Sequence, residues 1–79
     1  MKSPIHVECY SGSRADERPR RIEIDGHEHL VTRLLAESIE EGVHAKERVA
    51  RFTVLTERGK TIELIRAESG DWYLVSIRD

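Results

Sequence analysis

Cysteine is almost missing from this sequence. Cys9 stands alone, so no internal disulfide forms and nothing points to a secreted, cross-linked scaffold. Aromatic residues are nearly as scarce: Tyr10, Phe52, Trp72 and Tyr73 are all there are, too few for a broad base-stacking platform. No apolar run approaches the ~18 residues of a membrane-spanning helix, and Met1-Lys2-Ser3-Pro4 leads into no signal-peptide core, so a cytoplasmic protein without membrane contact is expected. Neither charge sign dominates. Lys and Arg number 13 against 15 Asp and Glu, a net of −2, which excludes a globally basic nucleic-acid binder. The phosphate loop, dinucleotide fingerprint, nucleophile elbow and zinc-finger spacing are all missing. Neither an enzyme nor a cofactor is expected.

What is present fits one small domain spanning 1–79, with 38% hydrophobic and 35% charged residues. A core of this size supplies ~3–5 kcal/mol of net stability, which leaves little to offset strained catalytic geometry. Charge is zoned along the chain. Arg14 to Arg21 carries four arginines against Asp16 and Glu17; Ile22 to Glu41 carries six acids against Arg33; Lys46 to Arg66 is basic again. Interspersed charge of this kind is what a solvated surface displays.

The C-terminal part alternates as strands do. Phe52, Val54 and Thr56 share one side of Arg51–Thr56, and Glu57-Arg58-Gly59-Lys60 supplies a tight reversal. Ile62 and Leu64 share a face of Thr61–Arg66, Glu68-Ser69-Gly70-Asp71 makes a second turn, and Trp72–Ile77 is rich in β-formers. Short alternating runs between glycine turns predict an antiparallel meander. Upstream, Ile5, Val7 and Cys9 share a face opposite His6, Glu8 and Tyr10. Arg21–Ile24 alternates, and Asp25-Gly26 suits a type I′ hairpin, whose central residues both need φ > 0. The return strand should run through His27 to about Leu30.

Residues 32–41 have two readings. Val31, Leu34, Leu35 and Ile39 match a helical stripe ended by Gly42, although Glu40 and Glu41 would oppose the dipole at that helix end. Alternatively the strand continues to Leu35, with a bulge that moves the inward face from Val31 to Leu34. Gly42 to Glu47 is polar and reads as a loop either way. The expected fold is mainly β (or α+β), a small antiparallel barrel or roll of five to six strands with at most one short helix near 32–41, because closure removes exposed edges.

Glu8-Cys9-Tyr10-Ser11-Gly12, then Ala15 and Glu17-Arg18-Pro19, resembles the start of a family of small bacterial cytoplasmic proteins of unknown function. The likeness continues through Gly26, Val31, Leu34-Leu35, Phe52, Gly59, Ile62–Arg66 and Trp72, nearly the whole chain. Ser38 and Ile39 stand where the family carries an aromatic pair, and the stretch around Gly42–Glu47 is longer. The resemblance implies no catalytic residue. Related domains accompany error-prone DNA polymerase cassettes, which implies a repair or nucleic-acid connection.

Few residues are candidates for chemistry. Cys9 could act as a thiol activated by Arg14 or Arg18, but its phase with Ile5 and Val7 marks it as a small buried hydrophobe. No metal site is expected. His27-x-His29 comes nearest to one, with Glu8 or Glu23 to assist, yet it lacks a third ligand at recognisable spacing, and histidines beside a hairpin turn are usually solvated. His6 and His44 are isolated. Asp16 and Glu17 are adjacent rather than opposed across a cleft, and Pro19 makes Glu17-Arg18-Pro19 a corner into the next strand. Tyr10, Arg14, Arg18, Arg20 and Arg21 remain as the binding candidates. Phosphate contacts from the Arg14–Arg21 loop, with Tyr10 stacking on a base, would make a weak nucleic-acid-binding accessory protein. Phe52 and Trp72 belong to the core in this reading. The leading expectation is a non-catalytic binding module with a protein partner, since zoned charge on a small barrel steers association. Nucleic acid is the alternative partner.

Overall fold

A computed structural model of the protein describes residues 5–9, 18–41 and 48–79. Six strands follow one another in chain order, β1 (His6–Cys9), β2 (Pro19–Ile24), β3 (His27–Glu41), β4 (Arg48–Thr56), β5 (Thr61–Arg66) and β6 (Trp72–Arg78). Each pairs antiparallel with its neighbours in a single six-stranded sheet. The sheet curls into a half-barrel, and there is no helix among the described residues. No helix is therefore long and apolar enough to cross a membrane.

The turns form where residue chemistry demands. Asp25 and Gly26 both take positive φ, 52° and 81°, as the β2–β3 hairpin requires. Gly59 and Gly70 do the same in the β4–β5 and β5–β6 turns.

Burial along β4 alternates strictly, with Ala50, Phe52, Val54 and Thr56 turned inward. Phe52 faces Leu64 and Val54 faces Ile62 across the β4–β5 ladder. Ile22 reaches the same core from β2, and Trp72 closes it with its ring tilted 42° to that of Phe52, centroids 5.4 Å apart. Cys9, Ile5 and Val7 are half-buried and pack against this cluster. Each large side chain removed from water here contributes ~2–3 kcal/mol against the entropy of ordering the chain.

β3 settles the reading left open by the sequence. It is one 15-residue strand, and no helix forms over 32–41. The bulge that carries the inward face from Val31 to Leu34 is present, with Thr32 inserted between the pairs Val31–Thr56 and Arg33–Leu55. The Thr32 hydroxyl donates to the Leu55 carbonyl at 3.1 Å, bridging the interrupted ladder. A second irregularity lies at Leu35, where the sequence reading ends the strand, and the strand runs six residues beyond it. Two insertions three residues apart set Val31, Leu34 and Glu37 opposite Thr56, Val54 and Phe52; Val31 and Leu34 are half-buried, whereas Glu37 is exposed. That spacing of three imitates a helical stripe while the backbone stays extended.

Candidate interaction site

Of the residues expected to bind, Tyr10 and Arg14 lie outside the described residues, as do Asp16, Glu17 and the stretch Gly42–Glu47. Arg18 is exposed just ahead of β2, and buried Pro19 opens that strand, so Arg20 and Arg21 belong to a strand rather than a loop. The β1–β2 ladder pairs Glu8 with Arg21 and Cys9 with Pro19, leaving Arg20 as the extra residue of a bulge. Both arginines consequently lie away from the core, while Pro19 and Ile22 stay buried.

Arg21 does not face solvent unopposed. Its Nη1 lies 3.6 Å from Glu8 Oε1 and 3.8 Å from Glu28 Oε2, so carboxylates on both neighbouring strands compensate its charge. Exposed pairs at these distances contribute little stability, but a phosphate would have to compete with them. Arg33 joins the group only in three dimensions. With Arg18, Pro19, Val31, Thr32 and Leu34 it lines a depression of about 150 Å³. Neither Arg18 nor Arg33 has an ion pair among the described residues. In the sequence Arg33 is a lone base in an acidic zone; the β2–β3 pairing brings it to Arg18.

The two hairpin histidines part company, and the expectation that both are solvated is corrected. His27 is exposed, whereas His29 is 6% exposed and sits opposite fully buried Ile22. Its Nδ1 has no hydrogen-bond partner. Burial pulls the His29 pKa below the ordinary histidine value, and the positive charges of Arg58 and Lys60, together with His27, push it the same way. Among the described residues no three His, Cys, Asp or Glu side chains converge as a metal site needs.

On the opposite face, Arg51 crosses to two neighbouring strands. Its Nε donates to Glu40 Oε2 at 3.2 Å and its Nη1 to Glu63 Oε2, while the Ser76 hydroxyl donates to Glu63 Oε1 at 3.3 Å. The bond from Arg51 is the main reason the Glu63 carboxyl titrates below the usual range. This belt joins β3, β4, β5 and β6 and engages the Arg51 guanidinium with two carboxylates.

Among the described residues the two ends of the sheet meet at one point. Ile5 N–H donates to the Trp72 carbonyl at 3.4 Å, and this is the backbone bond that joins the β1 end to β6 among the described residues. Beyond it, among the described residues, β6 is hydrogen-bonded to β5 alone. Its outer edge runs through Trp72-Tyr73-Leu74-Val75-Ser76-Ile77 without a charge. Val75 is the extra residue of a bulge between the pairs Leu64–Leu74 and Glu63–Ser76, and it is 38% exposed; Ile77 is 40% exposed. The sequence places this run in a strand without saying what lies beside it, because that is not written in any one strand. No family model, curated protein or solved structure matches this chain.

Proposed function

We propose that the protein is a small non-catalytic interaction module of the cytoplasm whose partner is another protein. The observation that carries this reading is the outer edge of β6, which no described strand covers beyond Trp72. The run Trp72–Ile77 carries no charge and exposes Val75 and Ile77, a template for a further strand. Ladder hydrogen bonds would supply affinity, and alternate side chains would supply selectivity. The ion pairs at Arg21 and Arg51 support it from another side, since cations held by carboxylates are poorly placed to take up phosphate. Kinship with the small bacterial proteins that share the Glu8-to-Pro19 motif belongs to the same proposal and adds no activity to it.

A second reading, a weak nucleic-acid-binding accessory role, draws on the neighbouring Arg18 and Arg33. Selection of displayed extended peptides separates the two. Enrichment of alternating apolar sequences, lost on Val75→Lys, supports the first. Binding to single-stranded oligonucleotides that weakens with salt and with Arg18→Ala and Arg33→Ala, without peptide enrichment, would replace it with the second.

A further inference from the structure

We infer that the domain is built as two units hinged at Leu30–Val31, and that a proton taken up by His29, buried in the seam between them, opens that seam on acidification. Such a device is independent of what the module binds.

β3 changes partner at the hinge. From His27 to Leu30 it pairs with β2, and from Val31 onward it pairs with β4, with Thr32 inserted just after the change. β1, β2 and the start of β3 therefore form one ladder, and the rest of β3 forms another with β4, β5 and β6. Outside the ladders, two backbone hydrogen bonds cross between the units among the described residues. Glu57 N–H donates to the Leu30 carbonyl at 2.9 Å, and Ile5 N–H donates to the Trp72 carbonyl at 3.4 Å. Packing supplies the rest of the joint: Ile22 belongs to the core cluster, and Ile5, Val7, Cys9 and Ile24 lie against it.

One imidazole interrupts this apolar joint. The buried polar side chains among the described residues are His29 and Thr56. The Thr56 hydroxyl accepts from Lys60 N–H at 3.2 Å, whereas His29 Nδ1 has no partner. β2 turns Ile22 and Ile24 toward the face that holds His29, and β1 turns Val7; Arg21, Glu23, His6 and Glu8 alternate to the other face. β3 adds His27, and the β4–β5 turn adds Arg58 and Lys60, whose charges disfavour an imidazolium; Glu57 of that turn is exposed. Lys60 is itself paired with Asp79, whose carboxyl is held below its ordinary value, so this pair keeps both charges under mild acid. A neutral imidazole fits the closed seam, and an imidazolium fits water. Each pH unit below the ordinary histidine value of 6.5 therefore favours the open form by up to tenfold, a ceiling of about thirtyfold near pH 5.

Hydrogen exchange of the full chain, followed by NMR near pH 7.5 and near pH 5 and corrected for intrinsic rates, tests this. Amides of the β1–β2–β3 ladder and of Glu57 should open more readily than those of β4–β5 at both values. Their opening should grow tenfold or more toward pH 5. In His29→Leu, and in His29→Gln as a polar control that does not titrate, that growth should vanish. Equal protection at every amide, which means that the whole domain opens at once, overturns the inference. So does opening that ignores pH, or a pH dependence that survives in both variants.

Discussion

Ile22 and His29 face each other across the β2–β3 hairpin, and both are buried. The sheet thus places an imidazole where its alternation reserves room for an apolar side chain. The turn after β4 closes over the same strand, with Glu57 N–H donating to the Leu30 carbonyl at 2.9 Å.

This relationship sets a pH dependence. His29 has a lowered pKa in the folded chain and the ordinary value near 6.5 once unfolded. Above about pH 6.5 neither state binds the proton; as pH falls through that value the unfolded chain takes it up first. Stability from this site is complete above about pH 6.5 and declines on acidification, with a limiting slope of ~1.4 kcal/mol per pH unit. Urea denaturation of wild type and His29→Leu between pH 5 and 8 reads the difference. Parallel stability curves for the two proteins would remove the assignment.

Phe52 is the largest fully buried side chain and packs against Trp72. Truncation to Ala removes ~3–5 kcal/mol, transfer and cavity together. A domain of this size holds ~3–5 kcal/mol in total. Phe52→Ala should therefore be largely unfolded at room temperature, whereas Phe52→Leu should remain folded with a lower midpoint. Near-ultraviolet circular dichroism of Trp72 reports the loss.

Removing Arg51 changes a titration more than it changes stability. In Arg51→Met the Glu63 carboxyl loses the bond that holds its pKa down, and that pKa should move up. The pair is partly exposed, so the stability loss should stay at or below about 1 kcal/mol. Carbon-detected NMR titration of Glu63 and thermal melts make the comparison. An unmoved Glu63 would show that the belt does not persist in solution.

Gly26 has open space around the position of a Cβ, yet its φ of +81° disfavours any side chain. Gly26→Ala should cost ~1–2 kcal/mol through the backbone alone. Gly26→Asn should cost less, because Asn tolerates the left-handed region. Equal midpoints for Gly26→Ala and wild type would mean that this turn adopts another form.

Much of the fold was legible where a local rule acts alone. Asp25-Gly26 announced its hairpin because few residue pairs accept positive φ twice. Phe52, Val54 and Thr56 announced the inward face of β4 because a half-buried strand has a period of two. The candidate site was less legible. Arg20 and Arg21 were found as residues, but the carboxylates around Arg21 come from β1 and β3. Arg33 became Arg18's neighbour only through pairing.

Local chemistry sets the turns, the strand phases and the place of Phe52 and Trp72 in the core, because each follows from dihedral preference or from burying one face of a strand. That residues 32–41 extend rather than coil depends on strand pairing. β4 offers them a ladder, and the bulge at Thr32 keeps Val31 and Leu34 facing the core. Pairing likewise buries His29, compensates Arg21 and brings Ile5 to Trp72. Each of these depends on which distant strand arrives alongside, and no single strand carries that information.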